Sequence, residues 1–286
     1  MAVGAVTPGT VVSMAVIAAG KYVQGRVVER RDLTSDLWSI RIAHEGGFIF
    51  KPGQYATLGV PADPKPLERP YSIVSSPSEP TIEFLLELVD EGVVTPHLHG
   101  LSTGAELLMR PRAKGRFTLD LASGRSHHIF VATVTGIAPF VSMVRTLRAG
   151  GYAEPLPDGF RVVCIHGGSR SDEFGYDDEL GSLDRELDWF TYVPTISRIH
   201  DDPSWTGEVG RVEDVLRKHL DSAGATGHNS IGYLCGHPGM IAVGHAILAR
   251  AGLPKQFIRQ EEYYPLGKEP LELEEAVQAL PGEGLP

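Results

Sequence analysis

The chain has 286 residues, enough to bury one large core or two modest ones, and two domains is the better expectation. With 42% apolar and 22% charged residues it has the make-up of a globular protein, and a formal charge of −10 argues against a nucleic-acid partner, which calls for a basic surface. Two cysteines, Cys164 and Cys235, are too few for a cysteine-ligated iron–sulfur cluster and leave no CxxC pair for zinc; their low number fits a reducing compartment.

In chain order, residues 11–20 (VVSMAVIAAG) come first as a possible targeting segment. No Lys or Arg precedes Lys21, and the stretch is too short and broken to span a bilayer, so residues 1–20 read as an arm and the protein as cytoplasmic, with no membrane partner. Residues 22–30 and 37–43 are rich in β-branched and aromatic side chains and read as strands. Residues 48–50, the turn Pro52-Gly53-Gln54 and residues 55–60 read as a strand entering and leaving a turn, and 82–89 and 106–109 as further strands. Such spacing predicts a small antiparallel barrel over 21–122.

Near residues 121–125 (LASGR) the rhythm changes. Residues 129–133, 161–166, 190–194 and 230–234 read as buried strands, alternating with helical stretches ending at Arg148 and covering 177–187, 212–221 and 240–251. Alternation of this kind predicts an α/β domain over 123–264, a parallel sheet with crossover helices. From Glu261 to the end, seven Glu face one Lys, and residues 265–286 form an acidic extension in which 271–280 reads as a short helix or a solvated tail.

Three short constellations carry chemistry. Thr133-Val134-Thr135-Gly136-Ile137-Ala138-Pro139-Phe140 follows the first parallel strand; a tight turn feeding a helix points backbone N–H groups at a pyrophosphate. A single glycine is not a GxGxxG, so a dehydrogenase-type motif is not supported. Arg69-Pro70-Tyr71-Ser72 combines a phosphate clamp, a stacking face and a hydroxyl on one strand. Cys235-Gly236-His237-Pro238-Gly239-Met240 follows the last parallel strand, where open parallel sheets collect ligands. Two features carry less weight. His97, His99, His127 and His128 lack acidic or cysteine partners at ligand spacing, so no metal is assigned. Arg110, Arg112, Lys114 and Arg116 alternate with period two, which in an extended strand places all four on one face, as a docking patch for an acidic electron carrier or as a solvated loop.

RPYS, then Gly92-Val93-Val94-Thr95-Pro96, TGIAPF, Ser197-Arg198, Gly210-Arg211 and CGHPGM occur in an order and spacing that resemble the bacterial ferredoxin–NADP reductase family across residues 21–264. The resemblance implies an antiparallel FAD-binding barrel followed by an NADP(H)-binding α/β domain. It implies that Arg69, Val94 and Thr95 serve the FAD phosphates, that Tyr71 stacks on the flavin beside Pro70, and that Ser72 approaches flavin N5. Thr133, Thr135 and Gly136 match the turn at the NADP pyrophosphate, and Ser197, Arg198 and Arg211 the clamp on the 2′-phosphate. Cys235, with Gly236 and Met240 after it, would stand near the nicotinamide, Glu261 would be the acid, and Tyr263 or Tyr264 the aromatic cover. Ser72, Cys235 and Glu261 are the catalytic assignments. The implied activity is hydride transfer from NADPH to FAD, then single-electron transfer to ferredoxin or flavodoxin. A reductase component of an oxygenase and a flavin electron-transfer subunit of a larger enzyme are the alternatives. Val134 departs from the family, which often has glycine there, and Arg170 stands one residue later than the family's arginine.

Overall fold

The computed structural model describes residues 20–44, 47–89 and 92–263. The expected arm before residue 20, Tyr264 and the extension 265–286 lie outside the described residues. Two compact units account for the chain: one runs to Leu119 and includes Val141–Gly151, the other comprises Asp120–Phe140 and the residues from Tyr152.

The first unit is built on β1 (Val23–Asp32), β2 (Leu37–His44), β3 (Tyr55–Val60), β4 (Leu67–Ser72), β5 (Ile82–Glu87) and β6 (Glu106–Met109). They form one antiparallel sheet in the order β4-β3-β6-β1-β2-β5. Just past β4, Ile73 bridges Phe84 and the Val74 N–H donates to the Glu83 carbonyl at 2.9 Å, so the two ends of the sheet nearly close into the expected barrel. A register shift between Val27 and Glu29 supplies the extra residue that lets β1 coil. The interior is filled by Trp38, Ile40, Ile42, Leu58, Phe84, Leu86 and Leu107, each fully buried aliphatic or aromatic contributing on the order of 1.5–3 kcal/mol.

In this unit one expectation fails and one open alternative is decided. Residues 47–50 make no ladder: Phe50 is drawn into the core while Ile49 is 87% exposed. Residues 110–116 are not a strand either, because Pro111 has no N–H to donate and only Lys114 bridges Tyr55. Arg110 is drawn out of the basic row by Glu68, which it grips at 2.7 and 2.8 Å. A short helix, α1 (Thr95–His99), lies where no helix was expected.

The second unit holds β7 (His127–Thr133), β8 (Arg161–Gly168), β9 (Phe190–Ile196), β10 (Glu208–Val209), β11 (Ser230–Gly236) and β12 (Ile258–Glu262). All pair parallel, in the order β10-β9-β8-β7-β11-β12. Of the helices that connect its strands, α2 (Ala138–Arg148) passes into the first unit at Val141, while α3 (Asp177–Glu186), α4 (Val212–Ser222) and α5 (Pro238–Arg250) belong to the second. Both sheet faces are buried, as parallel sheets require: Ile129, Val131 and Ile165 pack with residues of α4 and α5, and Phe130, on the other face, stacks on Phe140 at 4.5 Å. The predicted strands and helices are found with ends shifted by a few residues; β10 and β12 were not predicted. The chain winds outward from β7 to β10, then returns on the other side of β7 with β11. The direction of winding therefore reverses between β7 and β11, the place where open α/β sheets leave a crevice at their carboxyl ends.

Candidate functional site

In the barrel unit, Arg69, Pro70, Tyr71 and Ser72 all lie on β4, an edge of the sheet. Pro70 is tolerated there because an edge strand need not donate on both sides. The Arg69 guanidinium meets only the Glu68 carbonyl, at 3.1 Å, and has no carboxylate partner among the described residues. The Tyr71 hydroxyl is buried and finds no hydrogen-bond partner among the described residues; burial pushes its pKa up. An orphaned phenol of this kind is costly unless something else supplies the partner. Ser72 is buried. Val94 is buried too, preceding α1, and the Thr95 hydroxyl is already engaged: it accepts from the Val89 N–H at 3.1 Å and donates to the Val89 carbonyl at 3.3 Å. Thr95 thus shapes its loop, and its hydroxyl is not turned outward.

In the α/β unit, residues Val134–Ile137 form a 3-10 turn between β7 and α2, and no side chain caps its N-terminus. Its first N–H groups have no partner within such a turn, which makes the end an anion-binding feature. The turn is wedged. A side chain at Gly136 would collide with the carbonyl of Cys235, and one at Gly236, where φ is 130°, with Thr133. The Thr133 hydroxyl accepts from the His237 N–H at 3.0 Å, so the ends of β7 and β11 are fastened at the point where the sheet's winding reverses. Thr135 remains half-buried. Val134 has φ of 43°, the left-handed region, which among the described residues no other non-glycine residue adopts. For a β-branched residue this costs on the order of 1–2 kcal/mol.

Cys235 and Glu261 are register partners in β11 and β12, and the Tyr263 N–H donates to the Gly236 carbonyl at 3.1 Å. Burial first, and then the Glu261 charge, hold the Cys235 thiol well above its ordinary pKa, although Tyr263 hydrogen-bonds to it. A neutral, inaccessible thiol is a packing surface and not a nucleophile. Met240, also assigned to the cofactor, lies on α5 and is buried in the apolar core. Tyr264 lies outside the described residues.

A third cluster forms at the carboxyl edge of β8, β9 and β10. The Ser197 and Arg198 N–H groups donate to the carbonyls of Gly168 and Ser169, each at 3.0 Å, and the Gly210 N–H to Ile196 at 2.8 Å, bringing Arg211 beside Ser197. Ser197, Arg198 and Arg211 are all exposed. Arg198 has no ion pair among the described residues, and Arg211 has only a long one, 3.9 Å to Glu213. Arg170, next to Ser169, is held by Asp172 at 3.2 Å.

Sequence reasoning missed His166, whose Nε2 stands 3.0 Å from the Val134 carbonyl. Nothing marked it, since it sits inside an apolar strand. His128 is buried, with its ring nitrogens 3.2 Å from the Tyr233 hydroxyl and 3.1 Å from the Arg125 carbonyl.

The family model described as the oxidoreductase NAD-binding domain matches residues 130–245, which span the turn, the arginine cluster and β11. A ferredoxin–NADP reductase B of Sorangium cellulosum is 32% identical over 249 residues, covering 84% of this chain and 97% of that one. This chain belongs to the ferredoxin–NADP reductase family. A ferredoxin–NADP reductase of Pseudomonas aeruginosa is 28% identical, covering 80% of this chain and 89% of that one. The reductase component of a propane 2-monooxygenase from Rhodococcus jostii is 29% identical, over 84% of this chain and 63% of that one. Among solved structures, a ferredoxin NADP+ reductase from Neisseria gonorrhoeae with bound FAD and NADP superposes with a TM-score of 0.73 at 22% identity, covering 85% of this chain and 99% of that one, which establishes the common fold. No helix among the described residues is long and apolar enough to cross a membrane.

Proposed function

We infer that this chain is an FAD-dependent oxidoreductase that passes electrons from NADPH to a one-electron carrier. The observation that carries the reading is the turn Val134–Ile137, uncapped and fastened to Gly236 where the winding of a parallel sheet reverses. A dinucleotide pyrophosphate fits such a place. FAD fits β4, where Arg69 lacks a carboxylate and the buried Tyr71 hydroxyl lacks a partner among the described residues. On this reading residues 21–122 bind FAD and 123–264 bind NADP(H).

FAD, when bound, supplies the two-electron to one-electron conversion that no side chain can perform. The chain's own residues bind and orient. Arg69 faces phosphate, Tyr71 offers its ring and hydroxyl, and Ser72 contributes a buried hydroxyl. Thr133, Thr135 and Gly136 shape the pyrophosphate turn, while Cys235 presents a small neutral surface and Glu261 a charge beside it. Ser197, Arg198 and Arg211 supply donors and positive charge suited to a 2′-phosphate, which selects NADPH over NADH.

Ferredoxin or flavodoxin is the carrier we propose. Arg112, Lys114 and Arg116 are exposed on a protein of formal charge −10, a basic island that an acidic carrier can recognise. The similarity to the propane monooxygenase component supports a second reading, in which the acceptor is an oxygenase system. Both cysteines are free and buried, in keeping with a cytoplasmic setting. A visible spectrum of the purified protein, with anaerobic titration by NADPH and separately NADH, tests the reading. A flavin band bleached readily by NADPH and poorly by NADH supports it. A colourless protein that takes up no FAD overturns it.

A further inference from the structure

His166 plays no part in the chemistry above, yet it is fully buried on β8 against the dinucleotide turn. Its Nε2 is 3.0 Å from the Val134 carbonyl and its Nδ1 is 3.1 Å from the Tyr192 hydroxyl. A carbonyl only accepts, so in the neutral ring Nε2 carries the proton and Nδ1 is the unprotonated nitrogen that faces the Tyr192 hydroxyl. Burial keeps the ring neutral, which suits that tautomer. Phe174 closes one side of the ring at 4.8 Å, and the Tyr192 hydroxyl also meets Asp177, so its one proton serves either Asp177 or Nδ1 while the Nε2–H bond to Val134 stands in both cases. The imidazole is therefore fixed in position and in tautomer.

The carbonyl it grips belongs to the residue whose backbone is least content where it is. Val134 is β-branched and left-handed, with φ of 43°. Released, a valine relaxes towards an extended or right-handed conformation, and the peptide planes on either side turn with it. Gly136 cannot follow freely, because it lies against the Cys235–Gly236 backbone. We propose that His166 is a positioning residue for NADPH: by donating from Nε2 to the Val134 carbonyl it holds the left-handed turn, and so keeps the N–H groups of that turn aimed at the pyrophosphate. The inference rests on the NADP(H) reading of this turn. It also accounts for a valine where the family often has glycine, since a glycine adopts this φ without a clamp.

The test is steady-state oxidation of NADPH by the FAD-loaded enzyme with ferricyanide as acceptor. His166→Leu removes the donor; His166→Gln places an amide N–H where Nε2 stood; each is also made with Val134→Gly. In the leucine variant, KM for NADPH is expected to rise about tenfold with kcat within about twofold of wild type, as for loss of ground-state positioning. The glutamine variant is expected to recover most of that loss, and Val134→Gly to reduce the penalty of His166→Leu to about twofold. An unchanged KM in His166→Leu overturns the proposal, as does the same penalty with and without Val134→Gly. Should the leucine variant fail to fold, glutamine against asparagine decides, because asparagine mimics Nδ1 and leaves the carbonyl unpaired; equal KM values for the two overturn it. A wild-type enzyme that binds FAD but does not oxidise NADPH overturns instead the reading on which the proposal rests.

Discussion

On the function proposed above, the barrel and the α/β unit hold a nucleotide by opposite means. On β4 the candidate groups are side chains: a guanidinium without a carboxylate and a buried hydroxyl without a partner among the described residues, carried on an edge strand of ordinary geometry. At the end of β7 they are backbone groups, and the side chains serve to force the backbone into place. Thr133 ties β7 to His237, His166 ties β8 to Val134, and two glycines permit a contact that any Cβ would block. Recognition by side chains tolerates a regular scaffold. Recognition by backbone needs an irregular one, and strain collects where it is needed.

The largest test of that contrast is Gly236→Val. With φ at 130° and Thr133 against the missing Cβ, the substitution is expected to cost about 3 kcal/mol or more and to abolish NADPH oxidation. Flavin retention, read from the visible spectrum after gel filtration, should survive if the barrel binds FAD by its own side chains. Loss of both together would show that the two regions do not bind independently.

Acid should also separate the two units. Burial lowers His128 and His166, both in the α/β unit, to about 4. The unfolded chain protonates such imidazoles near pH 6.5, so between about pH 6.5 and 4 the unfolded state binds more protons and stability falls as the pH drops. Each histidine is expected to contribute up to about 3 kcal/mol to that loss. Trp189 and Trp205 lie in the α/β unit and Trp38 in the barrel. Single-tryptophan variants followed by fluorescence should show the former unfolding at higher pH than the latter; coincident transitions would deny the difference.

Arg198→Ala removes one charge-assisted contact to a 2′-phosphate and is expected to raise KM for NADPH by about 10- to 100-fold while leaving that for NADH within about twofold. An equal effect on both would assign Arg198 to some other role.

The smallest effect, and the most diagnostic for the barrel, belongs to Tyr71→Phe. Without FAD, removing an unsatisfied buried hydroxyl should leave stability unchanged or raise it by about 1 kcal/mol. With FAD, the same change should weaken binding about fivefold, the worth of one neutral hydrogen bond. Thermal melts and flavin titration on the same variant read the two signs; a loss in both states would mean that Tyr71 is structural.

Much of the fold and of the site is legible in the order of the residues. RPYS, TGIAPF and CGHPGM name side chains or punctuate a strand–turn–helix, and the shift from short alternating runs to longer apolar runs separates a barrel from a parallel sheet, because the two bury one face and two faces respectively. What is not legible falls on residues whose neighbours in space are distant in sequence. Ile258–Glu262 (IRQEE) has no strand pattern and becomes β12 only because β11 offers it an edge; that pairing is what brings Glu261 to Cys235. Arg110 looks like one of four equal charges until Glu68, 42 residues earlier, takes it away. His166 is one polar letter in an apolar run.

Sequence alone determined the order of elements, the two kinds of sheet and the chemical types placed at their ends, because local propensity and periodicity act over a few residues. Tertiary structure alone decided which hydroxyl is engaged and which is orphaned, why Val134 can be left-handed, and which histidine holds it so. Those depend on distances between strands far apart in the chain, and hydrogen bonds and steric contacts act over about 3–4 Å in space whatever the separation in sequence.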